Sequence, residues 1–157
     1  EKENQSHERD FLALGSMGHS SSIALGIALA KKEKRIWCID GDGAALMHMG
    51  AMAVIGAFAP PNYVHIVINN EAHESVGGQP TVSGEIDFCT IAQGCNYHSV
   101  QKANTLEEFE SILSCLDNLQ GPVFIEVKAA IGSRSNLGRP TISPTQTKEA
   151  FMRNIRS

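Results

Sequence analysis

The chain has 157 residues, a formal net charge of -4 at pH 7 and a hydrophobic content of 42%. This length and content suffice for one domain with a sizeable core. The acidic balance argues against a protein that works on nucleic acid or on an anionic membrane surface, so we expect small molecules or other subunits as partners. No apolar run reaches the ~18 residues of a membrane span, and we expect a cytoplasmic protein.

The first ten residues, EKENQSHERD, are polar and highly charged. We expect residues 1–10 to form a linker or a disordered start, and residues 11–157 to form the folded domain. A start on this stretch without methionine is compatible with a piece of a longer protein.

Apolar periodicity predicts alternating helices and strands in the first half of the chain. An alanine-rich helix follows the Gly15–Gly18 loop, and a short buried strand then ends at Asp40. Pro60 and Pro61 stop the next helix, and a β-rich strand follows them. The predicted elements are a helix over 20–31, a strand over 36–40, a helix over 44–58 and a strand over 63–68.

Capping residues mark two further helices in the second half. Asp87 is placed to cap a short helix over 88–95, and Thr105 with Glu108 opens a helix to about Asn118. A third strand over 123–127 follows Gly121 and Pro122, and the tail over 133–144 is polar and predicted to be irregular. Strands that alternate with helices predict an α/β fold of three layers, α/β/α, with a mainly parallel sheet.

A Gly-Asp-Gly sequence, Gly41-Asp42-Gly43, follows the first predicted strand and opens a helix. Backbone N–H groups at such a position can hold a phosphate. A carboxylate beside a phosphate repels it unless a hard cation lies between them. Asp42 therefore predicts Mg²⁺ that bridges the carboxylate and phosphate oxygens.

Asn69-Asn70 ends the second strand, and an amide oxygen there reaches the same ion if the two strands are neighbours. The two motifs are separated by 25 residues, which hold one helix and one strand. Gly-Asp-Gly is also common in tight turns, and Asn-Asn is common at strand ends. Their joint placement favours the cation site over these structural uses.

The GDG sequence, this spacer and NN together resemble the cofactor motif of the thiamine-diphosphate enzyme superfamily. The resemblance implies a thiamine-diphosphate-binding fold that binds thiamine diphosphate and Mg²⁺. It implies three metal ligands, which are Asp42, Asn70 and the main-chain carbonyl of Ala72. It also implies diphosphate contacts from Gly41, Gly43 and Ala44, with Ser75 as a further candidate.

A second resemblance lies in the loop Leu14-Gly15-Ser16-Met17-Gly18, on which these enzymes rest the two cofactor rings. Met17 matches the bulky apolar residue that bends the cofactor, and the carbonyl of Gly15 matches the acceptor for its 4'-amino group. The resemblance therefore assigns Gly15 and Met17 to catalysis as well as to cofactor binding. An ordinary packing role for Met17 is the alternative.

Within the superfamily, the chain is most similar to phosphonopyruvate decarboxylase over about residues 11–141. The similarity lies in Gly-Ser-Met-Gly-His, in residues 47–51, in residues 70–81 and in the tail over 137–141. Sulfopyruvate decarboxylase and other 2-oxoacid decarboxylases are the alternatives. His19, His73 and Gln79 lie in the loops expected to flank the cofactor, and they are candidates for contact with an anionic substrate.

The resemblance implies decarboxylation of 3-phosphonopyruvate to phosphonoacetaldehyde and carbon dioxide. Enzymes of this family activate the cofactor with a glutamate from a separate pyrimidine-binding domain, and no segment here matches that domain. We therefore expect a partner domain, on the same full-length chain or on a separate subunit, and a homo-oligomer that is at least a dimer. The chain alone should show negligible turnover.

Two interpretations that assign the chain to another functional class of protein stay open. A nucleotide-binding module is one, although the chain lacks GxGxxG after its first strand and lacks a GxxxxGK[ST] loop. A non-catalytic assembly subunit is the other, and it would be no less stable without the cofactor.

Overall fold

The computed structural model describes residues 7–133, 135, 136, 138 and 140–156. The chain divides into two compact units: the sheet unit, Met17–Ile131, and the terminal unit, made of the residues up to Ser16 and from Gly132 onward. The linker over 1–10 and the domain over 11–157 stay predictions. Residues 1–6 of that linker, and Leu137 and Arg139 of the tail, lie outside the described residues.

The sheet unit contains six strands: β1 Ile36–Gly41, β2 Tyr63–Asn69, β3 Ala72–His73, β4 Gln79–Pro80, β5 Ser99–Ala103 and β6 Val123–Lys128. Four of them form a parallel sheet in the order β1-β2-β6-β5, and β3 and β4 form a separate antiparallel pair. The helices of this unit are α1 Ser20–Ala30, α2 Asp42–Met47, α3 Gly50–Phe58, α4 Phe88–Gly94 and α5 Leu106–Ser114. The predicted α/β fold with a mainly parallel sheet is confirmed.

Helices cover both faces of the sheet because the side chains of β2 and β6 are apolar on both sides. On one face, Val64 and Ile66 of β2 pack against Ile112 of α5. On the other face, the hydroxyl of Tyr63 donates to the carbonyl of Ser21 in α1 at 3.0 Å. The sheet is thus a buried, rigid platform for the loops that follow its strands.

Two predicted helix starts are confirmed by their caps. The Asp87 carboxylate accepts from the N–H groups of Cys89 and Thr90 at the start of α4. The Thr105 hydroxyl accepts from the N–H of Glu108 at 3.2 Å at the start of α5.

Several elements differ from the sequence predictions. The predicted buried strand β1 is only half-buried: it is the sheet edge, and Trp37 and Ile39 are 44% and 66% exposed. The predicted helix over 44–58 is two helices, because His48 leaves helical geometry between α2 and α3 with φ -133° and ψ 44°. Strand β5 was not predicted, since its polar sequence SVQKA lacks an apolar pattern.

The terminal unit contains a short 3-10 helix, His7–Arg9, and α6, Pro144–Arg156. The ring of Phe11 lies 5.7 Å from that of Phe151, which joins the two ends of the described chain within this unit. Helix α6 follows the predicted irregular tail and begins at a proline, a residue favoured in the first helical turn. Within the described ranges, no helix is both long and apolar enough to cross a bilayer.

Candidate functional site

The predicted site lies where β1 and β2 end side by side. The strands are parallel neighbours, with Gly41 in register with Ile68, so Asp42 and Asn69 follow from the same edge of the sheet. Gly41 is extended at φ -83° and ψ 160°, and Asp42 is the first residue of α2. This edge, at the carboxyl ends of the strands, is where parallel α/β sheets bind ligands.

The Asp42 carboxylate is 1% exposed and is held by two hydroxyl groups. The Thr81 hydroxyl donates to Oδ2 at 2.5 Å, and the Ser83 hydroxyl lies 2.8 Å from the same oxygen. Neither hydroxyl residue was assigned a role from the sequence, because both lie in a loop about 40 residues away without a pattern that marks them.

The two asparagines differ in their surroundings. Asn69 is 1% exposed; its Nδ2 donates to Glu126 Oε1 at 2.7 Å, and its Oδ1 lies 2.9 Å from the Ser83 hydroxyl. Asn70 is half-buried; its Oδ1 accepts from the N–H of Ala72 at 3.1 Å, and its Nδ2 donates to Glu74 at 2.9 Å. Asn69 is therefore the asparagine that the structure links to Asp42, and metal ligation by Asn70 stays a prediction.

Four oxygen atoms at this edge lie within hydrogen-bond distance of one another but carry only two protons between them. Asp42 Oδ2, Asn69 Oδ1, Thr81 Oγ1 and Ser83 Oγ form four contacts of 2.5, 2.8, 2.8 and 2.9 Å. Only the two hydroxyl groups carry protons, so at least two of these oxygen pairs have no hydrogen between them. A hard cation bound to the Asp42 carboxylate relieves such repulsion. An all-oxygen donor set fits Mg²⁺.

Gly43 lies against His73 of the β3–β4 pair. A Cβ at position 43 would lie 2.4 Å from His73 Nδ1, so a side chain there would force the imidazole to move. That Nδ1 is buried and has no hydrogen-bond partner within the part of the chain that the structure describes. A buried nitrogen without a partner is costly, and an anionic oxygen beside Gly43 would satisfy it.

Of the other loop candidates, Ser75 and Gln79 are exposed and Ala72 is buried. Gln79 is in register with His73 across the β3–β4 pair, and Ser75 lies in the 3-10 helix Glu74–Val76 between them. Ala72, whose carbonyl is a predicted metal ligand, is 6% exposed and in register with Pro80. The structure thus brings His73, Gln79 and Ala72 into one small hairpin.

The Leu14–Gly18 loop spans the division between the two units. Gly15 belongs to the terminal unit and has φ +74°. Met17 begins the sheet unit and is half-buried, and the His19 ring lies 4.1 Å from the ring of His48. The roles of Gly15, Met17 and His19 stay predictions.

Glu126 is a buried charge that the sequence analysis missed. It is 2% exposed, and its carboxylate lies 3.2 Å from Lys102 Nζ and 3.6 Å from Lys128 Nζ, besides accepting from Asn69. The hydrogen bond to Glu126 raises the pKa of Lys102. The detectable signal was a lone acidic residue within the apolar run VFIEV.

A second buried polar cluster lies on β1 and β2, before the site. His65 Nε2 is 3.2 Å from Asp40 Oδ2, and His65 Nδ1 is 3.0 Å from the Tyr97 hydroxyl. The Cys38 thiol lies 3.6 Å from the same Asp40 oxygen. Burial, with the Asp40 charge beside it, raises the pKa of Cys38 well above the usual thiol range. Burial thus favours the protonated form of the Cys38 thiol.

Comparison with known proteins decides the family. The family described as "Thiamine pyrophosphate enzyme, C-terminal TPP binding domain" matches residues 2–127. The chain belongs to this family. Thiamine pyrophosphate is another name for thiamine diphosphate, so the recognised superfamily is confirmed.

Curated relatives of this TPP-binding domain include two kinds of decarboxylase. Phosphonopyruvate decarboxylase of Streptomyces viridochromogenes is 34% identical over 144 residues, which are 92% of this chain and 36% of that protein. Sulfopyruvate decarboxylase subunit beta of Methanococcus maripaludis is 36% identical over 149 residues, which are 95% of this chain and 79% of that protein. The chain thus spans about a third of the first relative and most of the second.

Solved structures support the fold of the TPP-binding domain. Transketolase from Campylobacter jejuni has a TM-score of 0.60 at 20% identity, covering 73% of this chain and 20% of that one. A thiamin diphosphate-dependent enzyme described as putative, from Mycobacterium smegmatis, has a TM-score of 0.64 at 20% identity, covering 75% and 23%. At this identity the likeness establishes the fold alone.

Proposed function

We propose that this chain is the diphosphate- and Mg²⁺-binding domain of a thiamine-diphosphate-dependent decarboxylase of 2-oxoacids. The observation that carries the proposal is the buried oxygen cluster around Asp42, at the junction of β1 and α2 in a TPP-binding domain. The partnerless His73 nitrogen beside Gly43 supports an anion at the same place.

The substrate we propose is 3-phosphonopyruvate, converted to phosphonoacetaldehyde and carbon dioxide. The similarity to phosphonopyruvate decarboxylase over 92% of the chain supports it. Sulfopyruvate is the second candidate, because the chain covers 79% of a sulfopyruvate decarboxylase beta subunit. Both acids carry a tetrahedral anionic group in addition to the 2-oxoacid.

The chain's own residues bind and orient in this proposal. Asp42, Asn70 and the Ala72 carbonyl hold Mg²⁺, whose preference is for oxygen ligands in octahedral geometry. The backbone beside Gly43, against which the His73 ring lies, donates to the diphosphate. Thiamine diphosphate, when bound, supplies the electron sink for cleavage of the carbon–carbon bond.

Further assignments follow from the resemblance. The Gly15 carbonyl and the Met17 side chain orient the cofactor. By their place in the loops expected to flank the cofactor, His19, His73 and Gln79 contact the substrate. The remaining diphosphate contacts are Gly41, Ala44 and Ser75.

We propose that the intact enzyme is an oligomer in which a pyrimidine-binding domain supplies the activating glutamate. The partial coverage of phosphonopyruvate decarboxylase leaves room for such a domain, and the name of the sulfopyruvate decarboxylase beta subunit implies a separate partner for that protein. The chain alone should then show negligible turnover, and substantial decarboxylation by it would refute this arrangement.

The first experiment measures thiamine-diphosphate binding by calorimetry, with and without Mg²⁺, on the wild-type chain and on Asp42→Ala. The partner domain is added if binding to the chain alone is too weak. Magnesium-dependent binding that Asp42→Ala abolishes supports the site, whereas no binding even with the partner excludes it. A panel of phosphonopyruvate, sulfopyruvate and pyruvate, compared by kcat/KM on the intact enzyme, then selects the substrate.

A further inference from the structure

Among the residues that the structure describes, the hydrogen bonds of the Asp42 carboxylate all fall on one of its two oxygens. Within the described residues, Thr81 Oγ1 and Ser83 Oγ both approach Oδ2, at 2.5 and 2.8 Å. Ser83 and Asp42 are each 1% exposed, so water does not compete freely for these contacts. The carboxylate is therefore fixed through Oδ2, and its lone pairs on Oδ1 are available to another ligand.

We propose that Thr81 and Ser83 are positioning residues for the bound Mg²⁺, because they hold Asp42 so that Oδ1 faces the ion. The inference rests on the proposed function, since it takes Asp42 as a ligand of Mg²⁺. It adds two residues to which no role in cation binding was assigned from the sequence.

Thr81 also sets the spacing between Asp42 and the loop that carries Ala72. It directly follows β4, and its N–H donates to the Glu71 carbonyl at 2.9 Å. Ala72 is in register with Pro80, the residue before Thr81. The Thr81 hydroxyl on Asp42 thus fixes the hairpin with the predicted carbonyl ligand against the predicted carboxylate ligand.

Ser83 joins the ends of β1 and β2. Its hydroxyl lies between Asp42 Oδ2 and Asn69 Oδ1, and Asn69 is itself held by Glu126 on β6. Three strands therefore meet in one buried network around a single hydroxyl group. A carboxylate restrained in this way loses little further freedom when it binds an ion.

This restraint favours Mg²⁺ over Ca²⁺. Mg²⁺ requires nearly ideal octahedral geometry with ligands at about 2.0–2.1 Å, whereas Ca²⁺ accepts six to eight ligands at about 2.3–2.6 Å in flexible arrangements. Loss of a positioning hydroxyl therefore weakens Mg²⁺ binding more than Ca²⁺ binding. A change that only loosens the fold weakens both alike.

The test titrates Mg²⁺ and Ca²⁺ separately into the whole enzyme with thiamine diphosphate, and follows cofactor binding by calorimetry. For Thr81→Val and Ser83→Ala we expect the Mg²⁺ concentration at half-saturation to rise about tenfold or more, the scale of a lost hydrogen bond to a charged group. The rise for Ca²⁺ should be smaller. Thr81→Ser keeps a hydroxyl and should restore the Mg²⁺ preference.

Thr90→Val is the matched control. Thr90 also donates its hydroxyl to a carboxylate, that of Asp87 at 3.1 Å, but at the exposed start of α4. The Thr90→Val variant should leave the Mg²⁺ and Ca²⁺ concentrations at half-saturation unchanged. The thermal midpoint of each cofactor-free variant is measured alongside, and if Ser83→Ala does not fold, the Thr81→Val and Thr81→Ser pair decides.

Two results separate the failure of this inference from the failure of the proposed function. If Thr81→Val weakens Mg²⁺ and Ca²⁺ binding equally, the positioning role is overturned and the proposed function stays intact. The same holds if Thr81→Val weakens neither while Asp42→Ala abolishes Mg²⁺-dependent binding. If cofactor binding to Asp42→Ala depends on Mg²⁺ as it does in the wild type, the proposed site itself is refuted.

Discussion

The close approach of Gly18 to α2 predicts a large stability loss for Gly18→Ala. Gly18 has φ +86°, and a Cβ there would lie 2.6 Å from His48 Cδ2 and 2.8 Å from the Ala44 carbonyl oxygen. The carbonyl belongs to the backbone of α2 and cannot rotate away as a side chain can. The substitution therefore combines backbone strain with overpacking.

Gly78→Ala separates these two costs. Gly78 has φ +77° but nothing within 4 Å of its Cβ position, so it carries the strain without the contact. A left-handed conformation costs a non-glycine residue ~1–2 kcal/mol, offset by ~0.4–1 kcal/mol from the reduced freedom of the unfolded chain. Overpacking adds ~1–3 kcal/mol. We expect a net loss of about 1 kcal/mol for Gly78→Ala and of about 2–4 kcal/mol for Gly18→Ala.

Urea unfolding of the cofactor-free chain measures the difference. The sole tryptophan, Trp37, lies on β1, so its fluorescence reports on the sheet unit that contains both glycines. The two curves are compared at equal m-values, since a changed slope marks a changed unfolded or native state. Equal losses of unfolding free energy for the two variants would refute the close contact between Gly18 and α2.

Three further changes test the site and its surroundings. Gly43→Ala places a Cβ 2.4 Å from His73 Nδ1 and should therefore weaken thiamine-diphosphate binding about tenfold or more. Calorimetry measures this, and an unchanged Kd would contradict close packing of the cofactor at Gly43. Glu126→Leu leaves the buried Asn69 amide without its acceptor, whereas Glu126→Gln keeps one. In urea unfolding, Glu126→Leu should therefore destabilise the fold by about 1–3 kcal/mol more than Glu126→Gln. Equal losses would argue against Glu126 as the acceptor for Asn69. Asp87→Ala should lose about 0.5–2 kcal/mol at pH 7 through the lost helix cap. Backbone hydrogen bonds at the start of α4 lower the pKa of Asp87, so its charge stabilises the fold above the unfolded pKa of about 3.9. The stability gap between wild type and Asp87→Asn should close as pH falls through the folded pKa, and a gap that does not narrow below about pH 3.9 would contradict this sign.

Local patterns in the sequence sufficed for much of the fold. The apolar runs of β2 and β6 and the caps at Asp87 and Thr105 depend on residues close together in the chain, and each is confirmed. Edge elements were harder, because an edge strand needs only one apolar face. The polar strand β5 was missed for this reason, and β1 is less buried than predicted.

The site was predictable as a location but not as a network. The sequence by itself determined that Gly41-Asp42-Gly43 and Asn69-Asn70 follow two strands, and the family motif they form determined the expected cofactor and ion. Which asparagine joins Asp42, and through which hydroxyl, depends on contacts between residues 14 to 57 positions apart. Strand register and the path of the loop after β4 bring such residues together, so the roles of Thr81, Ser83 and Glu126 were decided only by the tertiary structure.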